Sequence, residues 1–292
     1  MTANPQLSYA DYFEHPVKRR LVRTIERISG QPRLQSLYET YRRDLAHEPF
    51  FSAAVKLLQL DVQFSASRLA QIPSEGPLVV VANHPFGVLD GLLISWLISL
   101  KRKDFKVLTN AVLDGAPEAR EWILPIDFAG TKEAQATNIA TRAESLKRLA
   151  NGECIVVFPA GGVSTSPTLF ARAAVDDTWK PFTAKLITKS GAAVTPVFFE
   201  GQNSRLFQWA SHVGIELRLA LIFREVRRRI GTAMNVHIGE TLTPELLQQS
   251  GTRHDLMTFL RQQTYGMAPE RQQTAIARAE ARWNVSKPKI FN

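Results

Sequence analysis

The chain predicts an α/β protein: a mostly parallel sheet flanked by helices on both faces, with an N-terminal helical leader and a helical C-terminal tail. Three observations predict it. Short apolar, β-branched runs at 78–82, 154–158 and 193–199 alternate with helical stretches, as in parallel sheets built from βαβ units. Those runs hold almost no polar residue, as expected of strands covered on both sides. Each ends in a loop rich in Gly, Pro, Ser or Asn, and in such sheets the loops at one end of the strands converge on the site.

The elements follow in order. Residues 1–72 form the leader, 73–242 the α/β core and 243–292 the tail. The leader reads as helices broken at Pro16, at Gly30-Gln31-Pro32 and at Pro49. Phe13, Tyr38, Tyr41, Phe50 and Phe51 give it apolar surface. The core opens with a strand at 78–82, a helix over 89–100 and a strand at 105–108. A short helix over 117–122 precedes a strand at 123–126. A polar-rich helix over 132–150 stops at Asn151-Gly152, a C-terminal cap signal. The strand at 154–158, a helix over 180–189 closed by Ser190-Gly191 and the strand at 193–199 come next. Residues 215–230 predict one amphipathic helix with Leu217, Leu221, Phe223 and Val226 on its apolar side and Arg227, Arg228 and Arg229 at its end. A last strand is expected at 235–238. The tail from 244 is helical and polar, and is expected to be mobile after Trp283.

The chemistry concentrates in the three loops. The first is Asn83-His84-Pro85-Phe86-Gly87-Val88-Leu89-Asp90-Gly91. A neutral imidazole can take a proton at cellular pH, and a carboxylate on its other nitrogen fixes the tautomer and stabilises the imidazolium. His84 and Asp90 are badly spaced for one helix or strand, but the turn at Pro85-Phe86-Gly87 can fold them together. The alternative is that His84 only ends a strand and Asp90 only caps the following helix. The second loop, Phe158-Pro159-Ala160-Gly161-Gly162-Val163-Ser164, lets Gly161 and Gly162 approach a ligand closely. The third follows Pro196 and reads Glu200-Gly201-Gln202-Asn203-Ser204.

NHPFGVLDG, FPAGGVS and TPVFFEGQNS, in that order, resemble the glycerophospholipid (PlsC-type) acyltransferase family, in its hemolysin-like and ornithine-lipid acyltransferase branch. The likeness covers residues 75–240. It implies that His84 is a general base, that Asp90 orients it, and that a lyso-lipid hydroxyl attacks an acyl thioester on acyl carrier protein or coenzyme A. No cofactor beyond that co-substrate and no covalent acyl-enzyme is implied. Asn83, Phe86, Gly87, Phe158, Pro159, Gly161, Gly162, Ser164, Asn203 and Ser204 are assigned to substrate binding.

The departures from the family pattern carry information. Five residues separate His84 from Asp90, where the family has four. Ala160 and Val163 stand where FPEGTRS places a Glu and an Arg that help hold a phosphorylated glycerol. Losing an Arg with fork geometry argues against lysophosphatidate and for a lyso-aminolipid such as lyso-ornithine lipid. Lys180, Lys185 and Arg205 lie near the later motifs and could meet a carrier phosphate, and Arg205 or Lys180 could replace the lost Arg. The single cysteine, Cys154, sits inside an apolar run and reads as inert core. No GxSxG elbow is present.

Composition bounds the rest. The chain has 292 residues, 45% of them hydrophobic, enough for one α/β core. One cysteine excludes an internal disulfide. The net charge of +9 lies in the two flanks, while residues 73–200 are balanced. The excess suits an anionic membrane surface or an acidic carrier protein. No zinc spacing or nucleic-acid recognition pattern accompanies it, so neither metal nor nucleic acid is expected. The N-terminus lacks a signal pattern, and the longest apolar stretch, 88–100, is too short to span a bilayer. The expected location is therefore cytoplasmic, peripheral on the inner face of the cell membrane. A hydrolase using the same pair, and a non-catalytic lipid-binding module, are the alternatives.

Overall fold

A computed structural model describes residues 7–10, 13–110, 116–127 and 131–283. The expectation about the chain after Trp283 lies outside them. The strands are β1 (Asp61–Gln63), β2 (Leu78–Ala82), β3 (Phe105–Asn110), β4 (Ile123–Ile126), β5 (Cys154–Val157), β6 (Ala193–Phe199) and β7 (Ala233–Ile238). They form one sheet in the order β1-β7-β6-β2-β5-β3-β4. β6, β2, β5, β3 and β4 run parallel, and β7 pairs antiparallel to β6.

The helices, in chain order, are α1 (Pro16–Ser29), α2 (Gln31–Thr40), α3 (Phe50–Leu57), α4 (Ala66–Ala70), α5 (Val88–Ser99), α6 (Pro117–Arg120) and α7 (Lys132–Ala150). Then come α8 (Pro181–Ser190), α9 (Arg205–Val213), α10 (Ile215–Ala220), α11 (Ile222–Arg229), α12 (Pro244–Gln248), α13 (Arg253–Tyr265) and α14 (Glu270–Trp283).

β2 is buried along its whole length, and its residues alternate between two cores because side chains on a strand point to opposite faces. Leu78, Val80 and Ala82 join Cys154 and Val156 against α1, α2, α3, α5 and α11. Val79 and Val81 join Ile155, Val157 and Val194 against α7, α8, α13 and α14. This double cover is why the runs read as continuously apolar. The register pairs Leu78 with both Cys154 and Ala193, so β2, β5 and β6 end side by side with their loops together.

Two elements differ from the sequence reading. Residues 61–63 form β1, parallel to β7 at the sheet edge, within the leader read as helical. Three residues with one apolar side chain, Val62, carry no detectable period. Residues 215–230 form two helices, not one, divided at Leu221. Leu221, Ile222, Phe223 and Val226 are core residues and Arg218 is buried, so the apolar side of this segment faces the protein interior. The tail is helical, and Leu256, Met257 and Leu260 of α13 belong to the second core.

Candidate active site

β2 delivers Asn83 and His84 to the end of the sheet where the three loops meet. Asn83 is buried, and its amide bonds the Phe199 backbone in both directions. Nδ2 donates to the carbonyl at 3.0 Å and Oδ1 accepts the N–H at 2.7 Å. The side chain thus continues the β2–β6 ladder beyond the strand, and both ends of the amide are occupied.

The chain then turns. Gly87 has φ 78°, a conformation that L side chains rarely adopt, and a Cβ there would lie 3.2 Å from Val163 Cγ2. Backbone freedom and close approach both call for glycine. The turn opens α5 and places Asp90 in its first turn. One carboxylate oxygen, Oδ2, accepts the Phe86 N–H at 2.8 Å and the Gly87 N–H at 2.9 Å. The same oxygen lies 3.0 Å from His84 Nδ1. Asp90 therefore caps the helix and holds the imidazole at once, so the two sequence readings of this residue describe one arrangement. The fifth residue between His84 and Asp90 is absorbed by the tight turn at Gly87.

Asp90 is fully buried, and burial pushes its carboxyl above the ordinary value while His84 and the two backbone donors pull it back. The His84 ring stacks on Phe158, with centroids 4.1 Å apart and planes at 27°. Its side chain keeps 17% exposure. Nδ1 is buried, so the exposed edge is the one that carries Nε2.

The second loop is fastened to the first. The Gly161 N–H closes a turn on the Phe158 carbonyl at 3.0 Å, and the Pro159 carbonyl accepts the Lys180 N–H at 3.0 Å. Ser164 N–H donates to the His84 carbonyl at 2.7 Å. The Ser164 hydroxyl donates to Asp176 Oδ1 at 2.5 Å, and the His84 N–H meets the same oxygen at 3.1 Å. Asp176 is a residue that sequence reasoning missed. It is fully buried, its Oδ2 accepts Trp179 Nε1 at 3.0 Å, and its own N–H donates to the Tyr265 hydroxyl at 2.8 Å. Arg261 of α13 holds its carbonyl at 3.0 Å. These partners are scattered along the chain, so no local pattern marks Asp176.

In the third loop Ser204 caps α9, and its hydroxyl donates to Glu225 Oε1 at 2.7 Å. Asn203 is buried with neither amide atom hydrogen-bonded. Gly201, at φ 116°, packs on Phe86 so closely that a Cβ would lie 3.0 Å from the ring. The buried Phe86 ring carries the Arg229 guanidinium 4.4 Å from its centroid, and Arg229 Nη2 donates to the Gln202 carbonyl at 2.8 Å. Burial lowers the Arg229 pKa, and the nearby Glu225 and then Asp90 act in the opposite direction. Arg229 is the second residue that sequence reasoning missed, hidden in a run of three arginines. Lys180, Lys185 and Arg205 are exposed.

Val88 and Leu92 of α5 also wall an apolar cavity of about 140 Å³ that extends under the leader to Leu34, Tyr38, Phe51 and Trp122. The His84–Asp90 pair, the half-buried Arg229 and an apolar cavity thus lie around the start of α5.

The model of a family described as acyltransferase matches residues 3–271. The chain belongs to this acyltransferase family. A lyso-glycine lipid O-acyltransferase of Phocaeicola vulgatus is 21% identical over 223 residues, covering 74% of this chain and 76% of that protein. Another, of Bacteroides thetaiotaomicron, is 28% identical over 171 residues, covering 56% and 59%. The solved structure of the 1-acyl-sn-glycerophosphate (LPA) acyltransferase PlsC from Thermotoga maritima matches with a TM-score of 0.50 at 17% identity, over 94% of this chain and 86% of that one. The fold is the PlsC-like α/β fold, and the enzyme is an acyltransferase.

Proposed function

We propose that this acyltransferase moves a fatty acyl group from a thioester, on acyl carrier protein or coenzyme A, to the hydroxyl of a lyso-lipid with an amino-acid head group. The observation that carries the reading is His84, with Nδ1 held 3.0 Å from a buried carboxylate and the opposite edge of the ring exposed. Nε2 takes the hydroxyl proton as the oxygen attacks the thioester carbonyl. Asp90 stabilises the imidazolium that forms. The tetrahedral intermediate then expels the thiolate, which takes the proton from Nε2 and leaves as a thiol.

The surroundings support direct transfer. The Ser164 hydroxyl is bonded to Asp176, away from His84, so it is not set up as a nucleophile. Burial pushes the Cys154 thiol up to about 12, which leaves it inert. The apolar cavity beside α5 suits an acyl chain.

The acceptor follows from what surrounds the pair. Val163 and Ala160 offer no charge to a phosphate. A half-buried cation beside the site is Arg229, whose guanidinium meets a carbonyl and a ring. One guanidinium matches one head-group carboxylate, which an N-acylated amino acid retains. The relatives named for lyso-glycine lipid favour the same class. Lipid acceptors reside in membranes, and among the described residues no helix is long and apolar enough to cross one. With an acceptor in the membrane and a thioester donor made in the cytosol, the proposed location is peripheral, on the inner face of the cell membrane.

The test is to offer both thioesters with a panel of lyso-lipids and identify the products by mass spectrometry. An acylated amino-acid lipid supports the proposal. Free fatty acid as the only product would mean a hydrolase.

A further inference from the structure

Many of the exposed apolar residues gather on one surface. Leu206, Trp209 and Val213 lie on one side of α9 at the spacing i, i+3, i+7. Trp209 Nε1 donates to the Leu169 carbonyl at 3.1 Å, which sets the loop tip at Phe170, 79% exposed, beside that helix. Gly214 leads directly into α10, whose first residue, Ile215, is also exposed. Lys18 pairs with Glu216 at 2.6 Å, so α1 lies alongside and adds its exposed Val17 and Leu21. Single exposed apolar residues are ordinary, but a continuous patch of this kind marks an interaction surface. Exposed Lys18, Arg19, Arg20, Arg172 and Arg205 accompany it, against Glu14 and the paired Glu216.

We propose that this α9–α10–α1 surface, with Phe170 at its tip, docks the enzyme on an anionic lipid bilayer. The inference rests on the lipid-acyltransferase reading and adds the surface that meets the lipid. Aromatic and aliphatic tips beside a set of basic residues match the two layers of a membrane interface, apolar below and anionic above. The Trp209 indole has its N–H satisfied within the protein, so the ring can enter the interface without an unpaired donor.

The surface is mechanically joined to the site. Ser166 N–H donates to Gln208 Oε1 at 2.8 Å and its carbonyl lies 2.9 Å from His212 Nε2, both on α9. Arg218 of α10 donates to Thr165 Oγ1 at 2.5 Å. The adjoining Ser164 holds the His84 carbonyl. Docking through α9 and α10 therefore brings the His84 loop to the lipid surface, where a lyso-lipid enters.

The test compares the full chain with a Phe170→Asp/Val213→Asp variant and an Ile139→Asp control. Ile139 is 65% exposed on α7, which packs on the opposite face of the sheet. Co-sedimentation uses phosphatidylcholine vesicles with and without phosphatidylglycerol. The parent and the control should bind the anionic vesicles, and the double variant should bind roughly tenfold or more weakly. The double variant should acylate detergent-dispersed lyso-lipid normally yet fail on vesicle-embedded lyso-lipid. Equal vesicle binding by the double variant would overturn the proposal. So would a parent that acylates in detergent but never binds vesicles, a result that leaves the acyltransferase reading standing. A defect confined to acyl carrier protein as donor would assign the surface to that protein and also overturn the bilayer. A parent that binds vesicles but transfers nothing in either medium would instead overturn the proposed function.

Discussion

Asp90 has one oxygen that accepts the two backbone N–H groups that start α5 and lies 3.0 Å from His84 Nδ1. Its other oxygen, Oδ1, is buried without a partner. In the proposed mechanism such a carboxylate serves catalysis at some cost to stability. Asp90→Asn keeps an oxygen for the helix start but cannot stabilise an imidazolium, so kcat should fall by about 10²–10⁴ while the fold persists. The pH profile separates the two effects. A carboxyl whose native pKa is raised binds more protons in the native state, so its contribution to stability falls as pH rises through the window between the unfolded and native values. Denaturation curves of Asp90→Asn should therefore gain on the parent as pH rises from about 4. A variant that loses stability steadily over that range would show that burial does not dominate at Asp90. A second test concerns Cys154, fully buried with its thiol pushed up to about 12. Alkylating reagents should leave the folded enzyme unmodified and active, as read by intact mass and initial rate.

At the scale of elements, the loops were legible where the chemistry is local. The strand-then-turn pattern at 79–91 places His84 beside Asp90 because only a tight turn separates them, and Gly87 is the residue that permits it. β2, β5 and β6 were legible because double burial leaves uninterrupted apolar runs. β1 was not, because it owes its pairing to β7, well over a hundred residues away. The division of 215–230 at Leu221 was hidden because apolar and basic residues alternate there as they would along a surface helix. Only packing shows that Phe223 and Val226 face the core. Asp176 was hidden for a similar reason, since His84, Ser164 and Tyr265 reach it from three separate segments. Asp176→Asn should set an amide N–H against the Trp179 donor or against His84 and Ser164. The expected result is a loss of about 1–3 kcal/mol in stability and up to about 100-fold in kcat through misplacement of His84. Thermal melts and initial rates check it. Undiminished kcat would mean that β2 alone positions the base.

Over the whole molecule, the excess of charge foreseen in the flanks separates into three uses. Arg218 is buried among the site loops, Lys18, Arg19, Arg20 and Arg205 are exposed, and Arg229 comes back to the site over Phe86. No sequence pattern distinguishes Arg229 from Arg227 and Arg228; the difference is that α11 ends beside the Gln202 carbonyl. If Arg229 receives the head-group carboxylate, Arg229→Gln should raise the acceptor KM by roughly 10- to 100-fold and leave the thioester KM unchanged. An equal effect on both substrates would move Arg229 from the acceptor to general structure.

His84 is the proposed base for O-acyl transfer to an amino-acid lyso-lipid. The most direct measurement is the initial rate of acylated lipid formation, by mass spectrometry, from an acyl thioester and a lyso-amino-acid lipid with the parent and with His84→Ala. The expected product is heavier than the acceptor by one acyl group, formed about 10²–10⁴ times more slowly by a variant that melts like the parent. Transfer by His84→Ala at the parental rate would contradict it.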